Sequence, residues 1–70
     1  MFKFDRKLIL AAFLEKRWTI YELARRAQCG YRSAFRAVNG LPVGATVIAK
    51  IAAALDIDAV KFVVDPENNF

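Results

Sequence analysis

"LARRAQCGYRSAFRAVNG", residues 23–40, decides how this chain reads. Four arginines stand among alanines, "QCG" breaks the run at residues 28–30, and Asn39-Gly40 closes it. Gly30 can relax the backbone at the break. Asn39 and Gly40 both tolerate the left-handed conformation that stops a helix. The stretch therefore predicts two short helices, one running to about Ala27 and one from Tyr31 to about Asn39, joined by about three residues. A connection that short makes the helices cross steeply. It also demands a small residue where they touch, for which Ala24 fits, and an apolar plug for the turn, for which Cys29 fits. Ala34, Ala37 and Val38 then point inward from the second helix.

The flanks extend the same pattern. In "TIYE", Thr19 and Glu22 have the S/T-x-x-E spacing of a capping box, and Trp18 and Leu23 are placed for a hydrophobic staple across it. Upstream, Asp5 can cap a helix to Lys16, whose end carries Lys16 and Arg17 as the helix dipole favours. Downstream, "LPVG" is a loop. Val47, Ile48, Ile51, Ala52 and Leu55 follow helical spacing over Ala45–Leu55. Asp58 caps a short fifth helix over Ala59–Val63, and Asp65-Pro66 ends regular structure. The expectation is an all-α fold of five short helices in one domain, residues 1–65. Residues 66–70 read as a polar tail, a candidate for disorder.

Composition bounds the chemistry. Seventy residues allow one domain, and 57% hydrophobic content lies well outside the disordered regime. One cysteine and no histidine exclude the usual Cys/His zinc set and leave no internal disulfide. The lone thiol suits a reducing cytoplasm. With no histidine base, no Gly-rich phosphate loop and scattered carboxylates, the chain reads as neither an enzyme nor a cofactor protein. "LILAAFL", residues 8–14, is too short to span a bilayer. Charged "EKR" follows it where a leader peptide would carry its small-residue cleavage site. The charge is divided: residues 1–40 hold nine Lys/Arg against three Asp/Glu, whereas residues 41–70 hold two against four. A basic front and a weakly acidic back suit one face meeting a polyanion.

Leu23 to Gly40, with Leu23, Ala24, Asn39 and Gly40 in place and no gap, resembles the helix-turn-helix of phage repressor and Cro-like (Xre-type) DNA-binding domains. The likeness runs upstream through "WTIYELA" and downstream through "VIAKIAAALDIDAVKFV", from Asp5 to Val63. It implies a compact five-helix, lambda-repressor-like domain with the motif in helices 2 and 3. There are departures. Ile20 replaces a polar phosphate contact, Gln28 stands where the turn usually has glycine, and Gly30 replaces a Ser/Thr cap. "LPVG" lacks the Lys/Arg that grip the backbone. Phe13 and Val38 stand where the family often has a basic–acidic pair; packed hydrophobes can replace such a pair with little loss. Contact between Phe13 and Val38 is therefore expected.

The resemblance gives roles to the outer face of helix 3. Arg32 and Arg36 are four apart, hence on one face, flanked by Tyr31 and Phe35. Arginine pairs bidentately with guanine O6 and N7, Tyr31 can donate to a base or phosphate, and Phe35 can pack on a thymine methyl. Tyr31, Arg32, Phe35 and Arg36 are thus the candidate base contacts. Thr19 at an anion-favouring helix start, Arg17 just before it, Ser33 and Asn39 are the candidate backbone contacts. Arg25 and Arg26 are read more plainly, as a solvated face near a helix C-terminus. Cys29 reads as a turn plug, and Trp18 and Phe62 as core.

Helix 1 has more apolar residues than one stripe uses, and Phe2, Phe4, Val43, Phe62, Val64 and Phe70 add to the surplus. The surplus points to an exposed apolar patch and to a homodimer through helix 5, the tail or helix 1. The expected partner is double-stranded DNA, with no small-molecule ligand, no membrane and no cofactor. The expected function is a cytoplasmic, sequence-specific transcriptional regulator of repressor/Cro type. The alternative is a protein-interaction module on the same fold, favoured by Ile20, the apolar loop 41–44 and helix 1.

Overall fold

The computed structural model describes residues 1–64. Caps set the helix boundaries. In α1 (Arg6–Lys16) the Asp5 carboxylate accepts from the Leu8 amide at 3.1 Å. In α2 (Ile20–Ala27) Thr19 Oγ1 accepts from the Glu22 amide at 3.1 Å. This is half of the expected reciprocal capping box; the Glu22 carboxylate turns instead to Arg25 and Arg26. Asp58 caps α5 (Ala59–Phe62) by accepting from the Val60 amide. α3 (Tyr31–Val38) and α4 (Ala45–Leu55) begin after Gly30 and Gly44, which offer no side-chain cap.

α3 ends at Val38, one residue earlier than expected. Asn39 has φ −95°, and Gly40 alone carries the left-handed residue, φ 71°. The Gly40 amide donates to Ala37 O at 3.1 Å and the Leu41 amide to Arg36 O at 2.9 Å. That pair of bonds is a Schellman closure, which satisfies carbonyls the helix leaves unpaired. A Cβ on Gly40 would lie 2.9 Å from Arg6 Cβ, so this turn also needs glycine to let α1 approach.

The expectation of an all-α chain is corrected at the N-terminus. β1 (Lys3–Phe4) pairs antiparallel with β2 (Val63–Val64), Lys3 opposite Val64 and Phe4 opposite Val63. Phe2 and Val43 exchange both backbone bonds, at 2.8 and 2.7 Å. Alternation along an extended chain explains the strand: Lys3 faces solvent while Phe4 is buried to 1% exposure. The same pairing ends α5 at Phe62, one residue short of expectation, and draws Val43 of the loop into the core at 4% exposure.

The helices close over one core. α1 supplies Ile9 and Phe13, α2 Leu23, Ala24 and Ala27, α3 Ala34, Ala37 and Val38, and α4 Ile48, Ile51 and Leu55. Phe13 and Val38, the expected apolar replacement for an ion pair, are both buried in this cluster. Phe4, Ile9, Leu23 and Ile51 are the largest side chains taken wholly from water, each worth about 1.5–3 kcal/mol in transfer free energy. No polar side chain among the described residues is buried. Trp18 and Phe62, expected in the core, are half-buried against it. On α1, Leu10 is half-buried and Leu14 exposed, as its surplus of apolar residues implied. Within the described residues, no helix is long and apolar enough to cross a membrane. The expected tail, residues 66–70, and the domain end at Asp65 lie outside the described residues.

Candidate functional site

The corner between α2 and α3 is Gln28, Cys29 and Gly30. The left-handed residue is Gln28, at φ 56°, and not Gly30, which is extended at φ −74°. This corrects the expected use of Gly30. The strain at Gln28 is offset by bonds that close α2: the Gln28 amide donates to Arg25 O at 3.2 Å and the Cys29 amide to Ala24 O at 3.0 Å. Lys50 on α4 donates to Gln28 O at 3.1 Å and ties the corner to a third helix. Cys29 is half-buried against the core, and that burial pushes its thiol pKa up. Both features agree with a plug and not with a reactive thiol.

With Ala34, Ala37 and Val38 facing in, α3 turns Tyr31, Arg32 and Phe35 outward. These three line one groove of about 360 Å³. The rings of Tyr31 and Phe35 are 45% and 46% exposed; their centroids lie 6.4 Å apart with planes 17° from parallel. Arg32 is exposed and takes no part in the ion pairs of the described residues. Tyr21, on α2, completes the surface. It is 72% exposed, and its ring centroid lies 4.5 Å from that of Tyr31. Sequence reasoning missed Tyr21, because its neighbour lies on a different helix and no spacing along the chain reports a contact made by the crossing.

Arg36 is placed differently from Arg32. It is half-buried, and its Nε and one terminal nitrogen donate to the Pro42 carbonyl at 3.2 and 3.0 Å. Its own carbonyl accepts from Leu41. Arg36 thus holds the exit of α3 from both ends of the residue. The four expected base contacts divide accordingly: Tyr31, Arg32 and Phe35 share the groove, and Arg36 braces the loop beside it.

Among the expected backbone contacts, Arg17 is exposed and left-handed at φ 60°, at the bend before α2. Thr19 is exposed, its hydroxyl oxygen already accepting the Glu22 amide. Ser33 is half-buried, and Asn39 donates its side-chain amide to Phe35 O at 2.8 Å. Arg25 and Arg26 are exposed and both bond the Glu22 carboxylate, Arg26 while lying 4.5 Å from the Trp18 ring centroid. Hydrogen bonds from Arg25 and then Arg26 hold the Glu22 carboxyl below the usual glutamate range.

A second opening, of about 250 Å³, lies between the N-terminal strand, the start of α4 and α5. Phe2, Ala45, Ile48, Ala59, Val60 and Val63 line it, with Val60 87% exposed. Among the described residues, no three Cys, Asp or Glu side chains gather as a metal site would require. The groove on α3 offers a planar guanidinium donor beside two exposed aromatic rings, which suits hydrogen-bonded recognition of a flat polar edge. Compared with known proteins, the chain matches no family model, no curated protein and no solved structure.

Proposed function

We propose that this protein is a sequence-specific binder of double-stranded DNA, a transcriptional regulator of repressor/Cro type. In this reading α2, the Gln28–Gly30 corner and α3 form a helix-turn-helix, and α3 lies in the major groove. One observation carries it: α3 presents an exposed arginine, outside the ion pairs of the described residues, in one groove with two half-exposed aromatic rings, on the side opposite its buried alanines. A helix that only met solvent would gain nothing from exposing two rings beside a guanidinium. Contact surfaces concentrate aromatic residues and arginine.

Arg32 is the leading base reader, donating to guanine O6 and N7. Tyr31 and Phe35 flank it. Arg36 reads a base only by leaving Pro42, so its first role in the free protein is to fix the loop that follows α3. Thr19 and the free amides at the start of α2 meet a phosphate, with Arg17 adding charge and Ser33 and Asn39 further contacts. The basic first forty residues supply the long-range attraction. The protein works as a homodimer in this reading, and the apolar opening beside α5 is the surface for the second copy.

A protein-interaction module on the same fold is the second reading. The observation that favours it is the commitment of Arg36 and Asn39 to backbone carbonyls, which removes two donors from the DNA face. A fluorescence-anisotropy titration against a random duplex pool at two salt concentrations separates the readings. Phosphate contact makes log K fall with log salt at a slope of roughly −0.9 per phosphate neutralised. A steep slope supports DNA binding. Absent or salt-insensitive binding favours a protein partner.

A further inference from the structure

We propose that this protein has a second nucleic-acid activity beyond duplex recognition: the exposed rings of Tyr21, Tyr31 and Phe35 form a platform on which the bases of single-stranded DNA stack. The three rings come from two helices and meet at the α2–α3 crossing. Tyr31 is common to both contacts, its ring centroid 4.5 Å from that of Tyr21 and 6.4 Å from that of Phe35. The Tyr31 and Phe35 planes lie 17° from parallel, those of Tyr21 and Tyr31 39°. Contacts of this kind hold aromatic rings in place. They leave both end rings open to water: Tyr21 is 72% exposed and Phe35 46%. Positive charge accompanies the rings. Among the described residues, Arg32 shares the groove of Tyr31 and Phe35, no carboxylate lines it, and Arg32 stands outside the ion pairs.

Duplex recognition leaves this arrangement unused. A duplex shows base edges in its grooves, and stacking covers its base faces. A ring face meets a base face only where the strand is unpaired. Tyr21 is the decisive residue. It fills no core position on α2, whose buried residues are Leu23, Ala24 and Ala27. Contact with Tyr31 accounts for one part of its ring and leaves most of it free for a base. Proteins that hold single strands combine such rings with positive charge that follows the phosphates. Arg32 stands beside the platform, and exposed Arg25, four residues after Tyr21, shares its side of α2. Residues 1–40 carry nine Lys/Arg against three Asp/Glu. That charge selects an anionic strand with free bases over an apolar peptide. Stacking accepts every base, so the platform selects the unpaired state of a strand and not its sequence. Tyr31, Arg32 and Phe35 belong to both the platform and the proposed duplex face, so the two ligands exclude each other.

The test measures dissociation constants by fluorescence anisotropy for three labelled probes at one salt concentration. One is an oligothymidylate of about twelve nucleotides, a length within the range such surfaces cover. The second is an abasic strand of the same length, which keeps every phosphate and lacks every base. The third is the random duplex pool. The wild type should bind the oligothymidylate at least about five-fold tighter than the abasic strand, the factor that one stacked base supplies. Tyr21→Ala should lose at least about five-fold on the oligothymidylate and stay within about two-fold on the abasic strand, whereas Tyr21→Phe, which keeps the ring, should bind as the wild type does. Equal affinity of the wild type for the two single strands overturns the inference, and this arm needs no variant. So does a Tyr21→Ala protein that keeps its preference, or a Tyr21→Phe protein that loses it. The duplex arm separates the two readings. If duplexes bind and the bases of a single strand add nothing, the inference falls and the duplex reading stands. If the oligothymidylate is preferred and no duplex binds, the inference stands and the duplex reading falls. If neither binds, both fall.

Discussion

Gly40→Ala is the sharpest perturbation the structure offers. Gly40 is left-handed, φ 71°, and an added Cβ meets Arg6 Cβ at 2.9 Å and Arg6 Cα at 3.3 Å. Forcing alanine into the left-handed region costs about 1–2 kcal/mol. Pushing the first turn of α1 away from the end of α3 adds an overpacking cost of about 1–3 kcal/mol. Against these, alanine narrows the unfolded ensemble and returns about 0.4–1 kcal/mol. The net expectation is a loss of about 2–3 kcal/mol. For a domain of this size each kcal/mol moves Tm by about 4–8 °C, so the midpoint should fall by roughly 10–20 °C. Gly44→Ala is the matched control: φ is −72° and nothing lies within 4 Å of its added Cβ, so the entropic gain of about 0.4–1 kcal/mol is offset by the poorer N-capping of α4 by alanine, and a net change within about 1 kcal/mol is expected. Urea unfolding followed by far-UV circular dichroism gives both values. A Gly40→Ala protein within about 0.5 kcal/mol of wild type, or a Gly44→Ala protein equally damaged, would refute the packing of α1 on the α3 exit.

Other outcomes follow from single contacts. Phe4→Ala removes the largest side chain that β1 buries and should cost about 3–5 kcal/mol, a large share of the stability of a 70-residue domain; a change below about 1 kcal/mol would remove the strand from the core. Glu22 has a folded-state pKa below its unfolded value, so its pairing stabilises the fold above the unfolded pKa, 4.5 in the ordinary case, and that contribution is lost as pH falls through the lowered folded value. Glu22→Gln should lack this acid-side step in a pH series of thermal midpoints, and an identical profile would contradict the Arg25–Glu22–Arg26 cluster. Cys29 should react with iodoacetamide more slowly than free cysteine at pH 8, because burial raises its pKa, and should reach the free rate in urea.

Much of the helical framework was legible because it is written in local chemistry. Thr19, Asp5 and Asp58 are caps that act on amides two or three residues away, so sequence alone reports them. Ala34, Ala37 and Val38 share a face by spacing, and all three are buried. The two-residue strands had no period to read, since alternation over "KF" and "VV" is too short to distinguish from loop. Gln28 was passed over as the left-handed residue because glycine stood two positions away, and the bond from Lys50 to its carbonyl spans 22 residues.

The candidate site divides along the same line. Tyr31, Arg32 and Phe35 are placed outward by the periodicity that buries their neighbours. Tyr21 and Arg36 depend on where other elements end, at the helix crossing and at the Pro42 carbonyl, and spacing along one helix cannot report either.

The outward face of α3 as a DNA-contact surface is tested most directly by NMR, adding the selected duplex to isotopically labelled protein and following each backbone amide. The account predicts the largest shifts at Tyr31, Arg32 and Phe35 and at the start of α2 near Thr19, with Ile48, Val60 and the apolar opening beside α5 unchanged by DNA contact itself. Shifts centred on Phe2, Val60 and Val63, with residues 31–35 unmoved, would contradict it.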